Sequence, residues 1–359
     1  MSLIARALWF RQDESLLARL LLSPLWLLSL VFGRVVVRRR AAWRRKALKV
    51  GARVVSVGNL TVGGAGKTPV TIEVVRRLTA RGERVAVLSR GYGRKGEGKA
   101  VVVSDGERIL LDARAAGDEP VLIARSCPGA LVLVGADRAS LAQLAVAWLG
   151  ARTLVLDDGF QHLRLARDLD IVVIDGSNPF GNGHLMPRGP LREPKQALAH
   201  AGLIWLSKVD QASPDSIERL AAEVRRLTGA DPVRSAYRVA DVRRLEYDGG
   251  SVSLGPDALR GRRVYLLAAI ARPESFARTV EGLGAEIAGA TLLPDHAFFG
   301  DRRLEAAAAA ARKAGAEAVV VTEKDAVRLA APKTAGLPFL AVRVELDILA
   351  GEDRLAEAL

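Results

Sequence analysis

Arg53-Val-Val-Ser-Val-Gly-Asn-Leu-Thr-Val-Gly-Gly-Ala-Gly-Lys-Thr-Pro69 is the stretch on which the fold turns. It reads as a short apolar strand, Arg53–Val57, a glycine-rich loop, and a helix that opens near Pro69. Glycines let successive backbone N–H groups curl into a nest for phosphate oxygens, and the following helix adds the positive end of its dipole. In that loop Thr61, Val62, Gly63, Gly64, Ala65 and Gly66 are expected to wrap the phosphates. Lys67 would neutralise the β and γ groups, and the Thr68 hydroxyl would take Mg²⁺. The general pattern asks for glycine where Thr61 stands, but the strand–loop–helix context and the Gly66-Lys67-Thr68 core support a nucleotide site.

Outward from this loop, short apolar runs alternate with helical stretches. Arg84–Ser89, Ala100–Ser104, Ala130–Val134, Thr153–Leu156, Asp170–Ile174 and Gly202–Leu206 read as strands, with helices such as Pro69–Arg81 and Ser140–Leu149 between them. Continuous rather than alternating apolar strands are what a parallel sheet covered on both faces requires. The expectation is a doubly wound, mostly parallel α/β domain over 51–231. Residues 232–255 read as a hairpin-like linker of two short strands around Asp248-Gly249-Gly250, since glycine tolerates the positive φ of a tight turn. A smaller α/β domain over 256–359 follows from Arg263–Ala268, a helix from Pro273, Glu286–Ala288, the Ala-rich helix Arg303–Ala314, Ala318–Thr322 and Phe339–Val344.

A magnesium carboxylate is expected at the end of a strand near the loop. Leu154-Val-Leu-Asp157-Asp158-Gly-Phe-Gln-His162 supplies two, at the sheet edge where α/β proteins bind ligands. A strand-end aspartate capping the next turn is the plainer alternative. Asp175, after Ile171–Ile174, is a weaker candidate of the same kind.

The net charge of +13 suggests polyanionic partners, and its distribution narrows them. Residues 1–50 hold eleven Lys/Arg, including Arg6, Arg11, Arg19, Arg38–Arg40 and Arg44–Lys46, against only Asp13 and Glu14, so they carry +9 of that charge. Between Arg19 and Arg34 lies an apolar run of fourteen residues, Leu20–Gly33, broken by Pro24. A helix crossing the hydrocarbon core needs about 20. The segment therefore reads as an amphiphilic helix lying on an anionic bilayer, with Trp26 and Phe32 in the acyl boundary. A buried core helix, or a span that recruits Val35–Val37, are the alternatives. The 50% hydrophobic content excludes wholesale disorder, and a single cysteine, Cys127, excludes an intrachain disulfide and a cysteine-based zinc site.

Seven motifs, in order from Gly58 to Phe299, resemble the lipid A 4'-kinase (tetraacyldisaccharide 4'-kinase) family. They are Gly58–Pro69, Leu88-Ser-Arg-Gly-Tyr-Gly-Arg94, Gly117-Asp-Glu-Pro120, Gly135-Ala-Asp-Arg138, Asp157–His162, Leu185–Pro194 and Asp295-His-Ala-Phe-Phe299. The resemblance implies ATP- and Mg²⁺-dependent phosphorylation of the 4'-hydroxyl of a tetraacylated glucosamine disaccharide 1-phosphate. It also implies the cytoplasmic face of a bacterial inner membrane, peripherally held, with a monomer expected. On that reading Asp118 is the candidate base, and His296, from the second domain, hydrogen-bonds and orients it, with Lys67 at the transferred phosphate. Asp118 also reads as a helix N-cap before Pro120–Ser126, and His296 as a surface turn residue. His162 is expected to be a partner of Asp158 rather than a reactant. Arg90, Tyr92 and Arg138 would grip the 1-phosphate or the sugar, since arginine presents a planar fork to phosphate, or else be solvated. Arg188, Arg192 and Glu193 would line the acceptor site or stabilise their Pro/Gly-rich loop.

Two other classes compete. Ser207-Lys208-Val209-Asp210 resembles a guanine-reading pattern and raises a membrane-attached regulatory GTPase, which would have no use for the Gly117–Pro120 or His296 motifs. A nucleic-acid-dependent ATPase is raised by the charge. It is opposed by the clustering of that charge beside an apolar run and by an aromatic content of 5%, which leaves few stacking platforms. No nucleic-acid partner is expected.

Overall fold

The computed structural model describes residues 9, 20–92, 94, 100–246, 250–329 and 336–359. Arg6, Arg11, Asp13, Glu14 and Arg19 of the basic segment, Gly93 of the arginine–tyrosine motif and the Asp248-Gly249 turn lie outside the described residues. Helix α1 (Ser23–Arg44) precedes β1 (Arg53–Gly58), α2 (Lys67–Ala80), β2 (Val85–Ser89), β3 (Val101–Asp105) and α3 (Ala113–Ala116). Then come α4 (Asp118–Ser126), β4 (Leu131–Val134), α5 (Arg138–Ala147), β5 (Thr153–Asp157) and β6 (Leu169–Asp175). The chain continues through β7 (Leu203–Ser207), α6 (Pro214–Thr228), β8 (Val233–Leu245) and β9 (Ser251–Ser253). The C-terminal part holds β10 (Arg263–Ala268), α7 (Pro273–Gly282), β11 (Glu286–Leu292) and α8 (Asp301–Lys313), then β12 (Ala318–Thr322), α9 (Glu323–Ala326), β13 (Phe339–Ala350) and α10 (Glu352–Ala358).

All the strands join one 13-stranded sheet, ordered β11-β10-β12-β13-β8-β7-β6-β1-β5-β2-β4-β3, with β9 on β8. Pairing is parallel except at β3–β4, β8–β9 and β8–β13. The alternation of β1 explains why both faces are covered. Val55 and Val57 pack on one side with Val70, Val74 and Leu78 of α2, while Val54 packs on the other with Leu141, Ala142 and Ala145 of α5 through the neighbouring strands. The C-terminal part repeats the arrangement, with α8 under one face and Phe276 and Val280 of α7 under the other.

The linker keeps the expected hairpin, with the short β9 pairing antiparallel with the end of β8, but its first strand is longer than the sequence reading had it. β8 runs for 13 residues and pairs along its length with the 12-residue β13. Arg234, Arg238, Asp241, Arg243 and Arg244 interrupt any apolar run there, so the sequence shows a strand but not its length, which the pairing with β13 sets. The two α/β layers are thereby the two ends of a single sheet. This places the C-terminal ends of β1, β5, β6 and β7 beside the loops of β10 and β12, along one ligand-binding edge.

Helix α1 lies against the loop between β6 and β7. Ser29 Oγ donates to the Leu185 carbonyl at 2.8 Å and accepts the Arg188 N–H at 3.1 Å. A Cβ at Gly33 would stand 2.7 Å from the tip of the Leu185 side chain, so a larger residue there would push that methyl aside. Arg40, buried, pairs with Glu193 at 2.6 Å and covers the Phe160 ring at 4.2 Å. Ser29, Gly33 and Arg40 share one face at helical spacing. Leu27, Leu28, Val31 and Val35, 55–60% exposed, share the opposite one. Pro24 sits in the first turn and does not break the helix, which runs on past Arg34. No helix among the described residues is long and apolar enough to cross a membrane.

Candidate active site

The phosphate loop joins β1 to α2. Gly63 (φ 117°) and Gly66 (φ 85°) hold backbone angles that a side chain would strain, and Gly66 caps α2. The Asn59 amide donates to the Thr61 carbonyl at 2.7 Å and accepts Lys67 Nζ at 3.3 Å. Thr61 bridges to Leu191, and the Val62 N–H donates to the Pro190 carbonyl at 2.9 Å. Thr61 is absent from the positive-φ positions, which explains why threonine serves where the general pattern has glycine. Thr68 is buried in the first turn of α2.

Asp157 and Asp158 follow at the end of β5. Asp157 is buried and accepts from the Thr71 and Ser89 hydroxyls at 3.3 and 3.1 Å. Burial, reinforced by Glu119 and Asp158, pushes its carboxyl up to about 7. Asp158 has a φ of 52°, in the left-handed region that aspartate enters more readily than most residues, and it turns toward Lys67 at 3.5 Å and Arg192 at 3.1 Å. Burial opposes its charge, but Lys67, Arg192 and Arg138 together hold it well below the ordinary carboxylate range. Two carboxylates and the Thr68 hydroxyl make a set of hard oxygen donors, the sparse protein share that Mg²⁺ takes when nucleotide phosphates supply the remaining ligands.

Asp118 is the first residue of α4. The cap itself is Gly117, so the N-cap reading of Asp118 is corrected: its Oδ1 accepts the N–H of Glu119 at 2.9 Å, inside the first turn. Its other partners come from the C-terminal part of the chain. His296 Nδ1 lies 2.9 Å from Oδ2, Arg328 Nε 3.6 Å and Lys324 Nζ 4.0 Å. Burial penalises the charge, yet the His296 hydrogen bond, Lys324 and Arg328 outweigh it and hold the carboxyl at about 2. His296 has a φ of 64°, and its other ring nitrogen lies 3.7 Å from Asp295. The half-exposed imidazole also meets the Tyr92 ring at 5.7 Å. A plain surface turn would not bring it onto a buried carboxylate.

The other expected residues divide. Arg90 is exposed and Tyr92 is 70% exposed, open to the same edge. Arg138 is buried, with its guanidinium 3.4 Å from the Asp157 and Asp158 carbonyls, so the solvated reading is corrected to a brace beneath the aspartates. His162 is not the partner of Asp158: that carboxylate takes Arg192 and Lys67, while His162 Nε2 is buried with no partner among the described residues. Burial, and then Arg138, push the His162 imidazole down to about 4, so it is neutral. Glu193 is buried and bound to Arg40 and Gln161, which ties it into its loop, while Arg188 is buried with its backbone N–H on Ser29. Asp175 pairs with Lys208 and Arg272. Lys324 and Arg328 were missed from sequence. Each is a lone basic residue near a strand end, and only the fold reveals the carboxylate it faces.

The comparisons with known proteins agree with this geometry. Residues 21–359 match the family model described as tetraacyldisaccharide-1-P 4'-kinase. A tetraacyldisaccharide 4'-kinase of Anaeromyxobacter sp. (strain Fw109-5) is 51% identical, covering 100% of this chain and 96% of the relative. One of Pelobacter propionicus is 39% identical over 99% and 96%. A crystal structure from Aquifex aeolicus, described as the "apo" form of LpxK in complex with ATP, superposes with a TM-score of 0.72 at 26% identity, covering 94% of this chain and 97% of that one.

Proposed function

This chain belongs to the tetraacyldisaccharide-1-P 4'-kinase family, and from that premise we propose that it transfers the γ-phosphate of ATP to the 4'-hydroxyl of a tetraacylated glucosamine disaccharide 1-phosphate. The hydroxyl oxygen attacks the γ-phosphorus, the bond to the β,γ-bridging oxygen breaks with its electrons leaving on ADP, and the hydroxyl proton passes to Asp118. Lys67 meets the β- and γ-phosphates. Mg²⁺, when bound, neutralises the developing phosphate charge, and Thr68, Asp157 and Asp158 would hold it. Arg90 and Tyr92, open beside His296, are the side chains offered to the sugar or its 1-phosphate. The family gives no support to the regulatory GTPase reading.

The observation that carries this reading is the 2.9 Å contact between Asp118 and His296, contributed by opposite ends of the sheet. A carboxylate held at about 2 is a weak base in the ground state, but it is fully ionised at neutral pH and held in one orientation. Loose phosphoryl transfer asks little more of it, because the hydroxyl grows acidic only as its bond to phosphorus forms. The exposed apolar face of α1 and its basic C-terminal half support work on an anionic bilayer surface, at the cytoplasmic face of the inner membrane. Purified protein with ATP-Mg²⁺ should phosphorylate the acylated disaccharide 1-phosphate but not sugar or protein acceptors. Lys67→Ala should abolish transfer while remaining folded. GTP hydrolysis that is indifferent to the lipid acceptor would overturn the proposal.

A further inference from the structure

Ser207 and Lys208, raised above only as part of a guanine-like motif, lie beneath the phosphate loop. Ser207 Oγ, at the end of β7, donates to the Ala65 carbonyl at 2.8 Å, and Lys208 Nζ donates to the Gly64 carbonyl at 3.0 Å. A trans peptide is planar, so a carbonyl drawn to one side turns the next N–H to the other. Holding the carbonyls of Gly64 and Ala65 from below thus turns the N–H groups of Ala65 and Gly66 away from β7, where the Ala65 N–H meets the Gly63 carbonyl at 3.1 Å inside the loop and Gly66 stands as the cap of α2. A phosphate nest depends on such directed N–H groups.

The same lysine reaches the C-terminal part of the chain. Buried, and held at a left-handed φ of 55° that few non-glycine residues adopt, it also gives Nζ to Asp175 Oδ2 at 2.6 Å. Asp175, buried at the end of β6, takes Arg272 NH1 at 2.9 Å, and Arg272 NH1 also donates to Ser177 Oγ at 2.8 Å. Arg272 immediately precedes α7, whose Ser275 hydroxyl reaches Gln211 Oε1 at 3.1 Å. The chain of contacts therefore runs from a loop peptide through Lys208 and Asp175 to the part of the molecule that supplies His296.

We propose that Ser207 and Lys208 are positioning residues that set two successive peptide planes of the phosphate loop, and that Asp175 and Arg272 tie this setting to the C-terminal part of the sheet. The proposal rests on the nucleotide-binding reading of the loop and adds the device that shapes it. Both residues bond the backbone of the phosphate loop itself, so their removal is expected to fall first on nucleotide binding.

The test measures KM for ATP-Mg²⁺ and for the lipid acceptor, kcat, and ADP-Mg²⁺ binding by calorimetry. The full-length proteins are wild type, Lys208→Met, Arg272→Ala, Arg272→Lys and the double variant Lys208→Met/Arg272→Ala. Methionine keeps the volume of the lysine stem, and Arg272 is partly exposed, so at least the arginine variants keep the fold. Lys208→Met should raise KM for ATP and weaken ADP binding by about tenfold or more, with acceptor KM and kcat within about threefold. Arg272→Ala should move the same parameter less, Arg272→Lys should restore it, and the double variant should be little worse than Lys208→Met, since both act through one carboxylate. An unchanged KM for ATP, multiplicative effects in the double variant, or a parallel fall of every parameter with the melting midpoint would each overturn the strut. Wild-type protein that failed to bind ADP would instead bring down the nucleotide reading beneath it.

Discussion

Asp118 and His296 meet at 2.9 Å although 178 positions separate them, and the surroundings of each favour the meeting. The aspartate is buried near two cations, and the histidine takes a left-handed backbone angle. General-base groups contribute about 10²- to 10⁴-fold, so Asp118→Ala and His296→Ala should each lower kcat by that order with modest change in ATP affinity. Groups acting as one unit lose function non-additively, so the double variant should cost much less than the product of the single losses. A multiplicative loss would mean two independent residues. The pH dependence follows from the same contacts. Asp118 is depressed to about 2 from 3.8, so its ionised form, and the stability it lends, persists above pH 4 and fades only as pH falls toward 2. kcat should therefore show no loss from Asp118 between about pH 8 and pH 5, and an acid limb near pH 4 that vanished in Asp118→Asn would contradict the depressed carboxyl.

At the scale of the element, α1 sets a membrane reading against a core reading, and its two faces decide what each residue does. Ser29, Gly33 and Arg40 are committed to the 185–193 loop, so the helix is docked on the protein. The stripe of Leu27, Leu28, Val31 and Val35 is left facing outward. A contiguous apolar stripe left exposed beside basic residues is the pattern of an interaction surface. With basic residues worth roughly 1 kcal/mol each near an anionic surface, high salt should loosen the protein on vesicles of anionic phospholipid without releasing it. Leu27→Ser/Leu28→Ser/Val31→Ser should make binding fully salt-reversible while leaving the Ser29 and Arg40 contacts, and hence the fold, intact. Complete release of the wild type by salt in a flotation assay would show that charge alone holds it. The sequence made the helix, its charge and its apolar run legible. Its two-sidedness was hidden, because Ser29 and Gly33 show their role only once Leu185 is packed against them.

Over the whole molecule, the legible features were those written locally. The parallel strands were clear from apolar runs two to five residues deep in the core, and the phosphate loop and the strand-end aspartates from their spacing. What stayed hidden was carried by register. The first half of β13 and a strand near β8 were legible, Phe339–Val342 as an apolar run, but not that Arg343–Ile348 continue it as a period-2 alternation that pairs antiparallel with β8 along nearly its whole length. Their pairing is what makes one sheet and brings Lys324, Arg328 and His296 to Asp118. Arg192 was read as lining the acceptor site or stabilising its loop, and its pairing with Asp158 stayed hidden because nothing local shows that the two face each other.

The buried aspartate at the centre of that edge links metal, nucleotide and stability. Asp157 has a carboxyl raised from 3.8 to about 7, chiefly by burial and then by Glu119 and Asp158. For a raised carboxyl the sign runs opposite to that of Asp118. The folded state prefers the protonated form, so the contribution to stability is full below about pH 4 and is lost as pH rises through about 7. A divalent cation beside Asp157 would favour the ionised form and oppose that loss. Binding to the folded state alone adds RT ln(1 + [L]/Kd), about 2.7 kcal/mol at a hundredfold excess over Kd. The rise in melting midpoint caused by a non-hydrolysable ATP analogue with Mg²⁺ should therefore be larger at pH 8 than at pH 6. Asp157→Asn should flatten that difference while retaining nucleotide binding in the absence of metal. The measurement is a thermal melt at both pH values with nucleotide alone, Mg²⁺ alone and both together. Equal shifts at pH 6 and pH 8 in the wild type would show that Asp157 takes no part in holding the cation, and would leave Asp158 and Thr68 as its protein ligands.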